Sequence, residues 1–178
     1  MDIFSLSKFR EQNAEVLYAL DPIPVIDAKL IAELKERAFK APRKRCRLCG
    51  HDDPDSPLHD MLIVLHQDGY VPPHRHHGKS ESFHLIEGRA WLVAFDENGN
   101  LTLAKLMQPA SEGGPFFYRM PPSIYHSLIL ETPWLVFHEA TTGPFDITKT
   151  EMPTWAPSAD NVAEGRRYLE ALAMNFKR

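Results

Sequence analysis

Cysteine is scarce: Cys46 and Cys49 are the only two among 178 residues, too few for a disulfide scaffold. Long apolar runs are missing too. No stretch approaches the ~18 apolar residues expected of a membrane-crossing helix. Met1 to Ser7 lacks the basic region and following apolar stretch of a secretory signal. Basic charge is not in excess. Twenty Lys and Arg stand against 24 Asp and Glu, for a formal net charge of -4, whereas nucleic-acid binders usually carry a basic face. There are no internal repeats and no low-complexity segments. These absences predict a cytoplasmic protein with neither nucleic acid nor membrane as partner. What is present, 43% hydrophobic and 25% charged residues, is the balance of an ordinary globular chain. The length fits one domain with a sizeable core and a terminal extension.

Two local features run against that background. Arg43, Lys44, Arg45 and Arg47 form a basic cluster. It reads either as a solvated strand edge or as an anion-recognising strip beside a pocket. Cys46 and Cys49 form a CxxC with no second CxxC to complete a zinc site. The surrounding residues alternate as in a strand, where positions three apart point to opposite faces, so the two thiols are not expected to share a metal.

Along the chain the periodicity changes twice. Asp27 reads as an N-cap. After it Leu30, Ile31, Leu34 and Ala38 recur on one helical face until Pro42 closes the segment. The earlier stretch Leu6 to Leu20 has roughly helical spacing, although Val16-Leu17-Tyr18 fits a strand as well. From 43 to 143 short β runs follow one another: 61–66, 81–86, 90–95, 101–107, 116–120, 124–130 and 134–140. Asn98-Gly99 marks a hairpin between two of them. A Pro-rich segment then leads to a last helix over about 162–174, with Asn161 as cap and Glu164 three residues on. The expected organisation is a helical extension over 1–42, a barrel or sandwich over 43–145, and a Pro-rich segment with a C-terminal helix over 146–178.

Four of the nine histidines fall between Gly69 and Gly88. His74 and His76 are two apart. On extended chain they face the same way with Cα atoms about 6.6 Å apart, which suits two imidazoles converging on one cation with bonds near ~2.1 Å. Glu81 follows a short loop and supplies an oxygen ligand. The run Met120-Pro-Pro-Ser-Ile-Tyr-His126 reads as strand, tight turn, strand, and sets His126 to point inward with Leu128 and Leu130. His77 is an alternative ligand. His84 lies on the opposite strand face from Glu81, and His138 on the barrel wall. His51, His59 and His66 are given no role.

The block His74-x-His76-x4-Glu81-x6-Gly88 resembles the first motif of the cupin superfamily, and Pro121 to His126 resembles the second. Ser123 stands where cupins usually have glycine, and Leu130 where they often have asparagine. Arg43-Lys-Arg45, Met61-Leu-Ile, Tyr70-Val-Pro-Pro-His74-Arg-His76, Glu81-Ser-Phe-His84, Gly143-Pro-Phe-Asp146 and Trp155-Ala-Pro157 are together similar to the WbuC type of cupin-fold metalloprotein. This resemblance covers about residues 25 to 160. It implies a mainly β fold, the double-stranded β-helix or jelly-roll barrel, a bound metal, and an association with surface-polysaccharide (O-antigen or lipopolysaccharide) biosynthesis. It implies no particular reaction.

The predicted metal ligands are therefore His74, His76, Glu81 and His126, for one divalent ion. Mixed nitrogen and oxygen donors suit zinc, iron, manganese, nickel or copper. Such a set leaves coordination positions open. Phe83, Leu85 and Leu128 share face parity with the ligands and are expected to wall an apolar pocket. Tyr118, Arg119, Tyr125 and Lys79 are candidate polar contacts, and Glu81 is the one candidate catalytic base. Three functions fit: a metal-dependent enzyme on a sugar-like or other small oxygenated metabolite, a non-catalytic metal and ligand-binding module, or an iron-dependent dioxygenase. The expected partners are an anionic or sugar-like small molecule and a second copy of the chain, pairing to cover a sheet edge.

Overall fold

A computed structural model describes residues 8–176. It contains twelve strands and two α-helices. The strands are β1 (Phe9–Asn13), β2 (Val16–Ala19), β3 (Arg45–Cys49), β4 (Leu58–His66), β5 (Arg75–His76), β6 (Glu81–Glu87), β7 (Ala90–Phe95), β8 (Leu101–Met107), β9 (Phe117–Met120), β10 (Tyr125–Leu130), β11 (Trp134–Thr142) and β12 (Thr150–Glu151). Helix α1 (Ala28–Lys40) lies between β2 and β3, and α2 (Val162–Ala173) ends the fold.

Seven strands form one sheet in the order β1-β2-β3-β4-β11-β6-β9. All its pairings are antiparallel except β2 with β3. The opposing layer is β10-β7-β8, joined to the short pair β5-β12 by a bridge between His74 and His126. The period-2 alternation of the sequence sorts side chains to the two faces of each sheet. On the seven-stranded sheet Leu65, Phe83, Leu85, Leu135 and Phe137 point inward. They meet Leu92, Met107 and Leu128 from the opposing layer. The outward set, Leu48, Leu62, Val64 and Val136, packs under Leu30, Leu34 and Ala38 of α1. On the far side Val93, Phe95 and Ile129 are covered by Leu169 and Ala173 of α2. The order through the molecule is helix, sheet, barrel interior, sheet, helix. Each fully buried aliphatic or aromatic side chain contributes on the order of 1.5–3 kcal/mol.

Both helix caps form as the sequence predicts. Asp27 Oδ1 accepts the Leu30 N–H at 2.9 Å, and Asn161 Oδ1 accepts that of Glu164 at 3.4 Å. Asn98-Gly99 turns β7 into β8, with Gly99 at φ +83°. Gly88 sits at φ +85°, and a Cβ there would lie 2.0 Å from the Trp134 carbonyl oxygen, so the turn after β6 requires glycine. Among the described residues no helix is long and apolar enough to cross a membrane.

One expectation is corrected. Residues 9–19 form the β1-β2 hairpin and not a helix, and Leu6 lies outside the described residues. Phe9-Arg-Glu-Gln-Asn13 is mostly exposed, so it carries no period-2 burial signal. In the basic cluster, β2 pairs with β3 at Arg47 but not at Arg43, Lys44 or Arg45. One anion that the cluster meets is in this chain. Arg43 donates to the buried Glu15 from Nε at 3.1 Å and pairs through Nη2 at 2.5 Å, and Arg45 Nε donates at 3.2 Å. Cys46 and Cys49 do part to opposite faces: Cys46 packs under α1, and Cys49 packs with Tyr18 and Met61. Burial raises both thiols to about 11.

Candidate metal centre

Three imidazoles meet at one end of the barrel interior. His74 lies just before β5 and His76 within it. His126 stands at the start of β10, and the bridge between His74 and His126 ties the two segments. One nitrogen from each ring lies within 4.8 Å of the others. The remaining nitrogens are held from outside. His74 Nδ1 donates to the Pro72 carbonyl at 2.9 Å, and His126 Nδ1 to that of Ile124 at 2.9 Å. His76 Nδ1 lies 3.1 Å from Thr150 Oγ1. A carbonyl only accepts, so the ring proton of His74 and His126 is fixed on Nδ1 and Nε2 is turned inward as a donor to a cation.

Glu81, at the start of β6, closes the set. Its Oε1 lies 2.8 Å from His126 Nε2 and its Oε2 3.4 Å from His76 Nε2. With His126 Nδ1 already donating, a contact of 2.8 Å at Nε2 needs a second proton on that ring, shared with the carboxylate. The pKa directions agree. Burial opposes charge on His126, but the hydrogen bond and charge of Glu81 outweigh it and raise the ring. Burial would likewise raise Glu81, yet hydrogen bonds from His126 and His76 hold it far below the usual carboxylate range. Burial and the nearby His126 push His74 down to about 3, so it is neutral. A shared proton between a carboxylate and an imidazole, ringed by two further imidazoles, marks a place where a divalent cation can displace that proton. The donor set fits a metal.

The turn into His126 explains one departure from the family pattern. Ser123 has φ +67°, the left-handed conformation that glycine adopts without strain. The turn is kept although its usual residue is not. Other sequence candidates divide. Phe83, Leu85 and Leu128 do form the apolar wall. Tyr118 stacks on Phe83 at 4.8 Å inside the barrel. Burial, with the charges of Glu81 and Glu139, keeps its hydroxyl protonated far above neutral pH. Lys79 lies within electrostatic reach of both Glu81 and Glu139. Arg119 instead donates to Ser80 Oγ on the surface. Tyr125 is on the outer face, over which the Arg75 guanidinium sits 4.3 Å from the ring centroid. His77 pairs with Glu151 at 2.6 Å and stays outside the cluster. His84 is exposed, and His138 pairs with Asp60 on the wall.

Glu139 has no place among the sequence candidates. It follows Leu135 and Phe137 at period 2 on β11, so its side chain joins the inward set. Burial and the Glu81 charge raise it to about 8, against the pull of Arg47, His126 and Lys79. An acidic residue at an inward position of an apolar strand was the available signal.

The fold resembles known structures. Protein SO0799 from Shewanella oneidensis superposes over 74% of this chain and 85% of its own, at a TM-score of 0.51 and 11% identity. The chain has the cupin fold. CapF, solved with the inhibitor 3-isopropenyl-tropolone, matches over 60% of this chain at a TM-score of 0.50 and 14% identity. A point mutant of oxalate decarboxylase OxdC from Bacillus subtilis matches over 74% at a TM-score of 0.48 and 19% identity. The match spans only 31% of the CapF chain and 32% of the OxdC chain. A family model described as a domain of unknown function (DUF6016) matches residues 26–107, which takes in His74, His76 and Glu81 but not His126. No curated protein matches this chain in sequence.

Proposed function

We propose that the chain is a metal-dependent enzyme acting on a small, oxygenated, anionic metabolite, with His74, His76, His126 and Glu81 holding one divalent ion. The observation that carries this reading is the convergence of three imidazole nitrogens within 4.8 Å of one another, with Glu81 against two of the rings. Beside them Glu139 is an inward acid on an otherwise apolar strand, and burial raises its carboxyl. Such a group can hold a proton near neutral pH. When bound, the ion supplies Lewis-acid polarisation of a substrate oxygen. The chain's own residues do the rest. Glu139 holds a proton at its carboxyl for delivery to a leaving or developing oxygen. Lys79 and Arg47 attract and orient a negatively charged group. Phe83, Leu85 and Tyr118 exclude water from one side.

The sugar-like character of the substrate, and its link to surface-polysaccharide metabolism, rest on the WbuC-type motifs. The cytoplasmic setting and the homodimer belong to the same reading. Exposed Phe117, with Phe116 and Ile86 beside it, makes β9 the apolar edge at which two copies would pair. The test is to load metal-free protein with cobalt and add small carboxylates or sugar phosphates. A visible spectrum that shifts with such ligands supports an open, working site. One that never changes, with a closed four-coordinate pattern, means that the metal is structural and the enzyme reading is wrong.

A further inference from the structure

A second concavity opens along β10 beyond the metal-site histidines. It is walled by the start of β3, the chain from Leu65 to Val71, the end of β10 and one face of α2, with His66 among its lining residues. Leu128, which lines it, also belongs to the apolar wall of the metal pocket, and Leu130 is four residues along β10 from His126, roughly 13 Å of extended chain. The cleft is shallow and open, with about 80 Å³ of enclosed space, so it seats a small ligand at the surface rather than engulfing one. Its floor is apolar: Leu65, Leu128 and Leu169 line it. Its rim is cationic, carrying Arg43, Lys44, Arg45 and Arg166.

Among the described residues, Glu15 pairs with Arg43 and Arg45, Asp68 lies 3.4 Å from Arg166, and Glu170 lies 3.9 Å from it. Arg43 and Arg45 thus share one carboxylate, which Arg45 meets through Nε, and both line the cleft. Arg45 is also crowded: burial and the charges of Arg43 and Arg47 all disfavour its protonated form. An anion beside it relieves that crowding.

We propose that this cleft is a second ligand site for a monocarboxylate with an apolar body. Its carboxylate lies toward Arg45, and its body lies against Leu65, Leu128 and Leu169. Two guanidinium groups sharing one carboxylate suit an added anion. The guanidinium fork suits a carboxylate, and the aliphatic floor selects against a fully hydrated ion such as phosphate.

The test uses the full chain, isotope-labelled and stripped of metal with a chelator, titrated with hexanoate and followed by NMR. Saturable amide shifts are expected over residues 65–71 and 128–130, together with contacts between the hexanoate chain and the Leu128 and Leu169 methyls. Hexan-1-ol should bind more weakly by about tenfold or more, as should hexanoate to Arg45→Gln. His74→Ala should leave hexanoate binding unchanged. Because Arg45 also holds Glu15, the methyl contacts in the unsubstituted protein decide the matter if Arg45→Gln does not fold. No saturable shift at several millimolar hexanoate overturns the proposal. So do shifts confined to residues 74–81, or an equal response to inorganic phosphate.

Discussion

At the scale of single residues, the contact between Glu81 Oε1 and His126 Nε2, 2.8 Å, marks where the proposed ion would sit. Replacing His74, His76 or His126 by Ala should each remove most bound metal, because each deletes a nitrogen whose ring is already oriented from outside. Glu81→Gln should weaken binding less, since the amide oxygen still donates. Elemental analysis of protein purified without an affinity tag measures both, and full occupancy in His126→Ala would overturn the ligand set. Glu139 has a different signature. Its folded pKa, about 8, is above its unfolded value of about 4.3, so between these values the folded chain binds more protons than the unfolded one. Stability therefore falls as pH rises through that window and levels off above it. In chelator, urea denaturation should show metal-free protein losing stability from pH 5 to pH 8, and Glu139→Gln should flatten that decline. The same slope in both proteins would remove Glu139 from the account. The histidines were legible in the sequence because two-apart spacing and a spaced glutamate are a local pattern. Glu139 was not, because its meaning comes from Glu81, 58 positions away in sequence and across the β6-β11 pairing.

At the scale of elements, turns carry the precision. Ser123 holds a left-handed conformation that disfavours any side chain by roughly 1–2 kcal/mol. Ser123→Gly should recover part of this, about 0.5–1 kcal/mol after the entropy of glycine in the unfolded chain is subtracted. A rise in Tm of about 1–4 °C is the expected reading, and a fall would mean that the serine hydroxyl contributes more than the backbone strain costs. Helix α1 and strand β6 were readable from periodicity, because each buries one face; β7 and β10 were readable as apolar runs, buried on both faces; and β8 followed from the Asn98-Gly99 turn before it. The β1-β2 hairpin was not, because Arg10, Glu11 and Gln12 are exposed and only β2 is buried. The brace at β12 is two residues long, too short for any periodicity. Even so, Thr150 reaches His76 Nδ1, and Glu151 engages Arg75 and His77 on either side of it.

At the scale of the whole molecule, Glu15 fastens the N-terminal hairpin to the barrel. Glu15→Ala leaves Arg43 and Arg45 without their carboxylate. Breaking a buried pair costs about 3–5 kcal/mol. Arg43 is half-exposed, so about 2–3 kcal/mol is the expected loss here. Chemical denaturation reads this directly, and metal content should not change, because the histidines lie elsewhere. A loss below ~0.5 kcal/mol, the scale of ordinary surface changes, would show that the hairpin holds without its ion pair. The brace at β12 has a further consequence, for the order in which the molecule is made. Translation has released all four ligand residues by position 126, but β11, which seats β6, and Thr150, which orients His76, follow later. Domains are completed from the N-terminus as synthesis proceeds at ~5–20 residues per second, so the growing chain carries its histidines for a time without the parts that aim them. Under the proposed reading, metal uptake would be a late step in the life of the polypeptide. A chain cut short before residue 150 would then possess every proposed ligand yet bind its ion poorly.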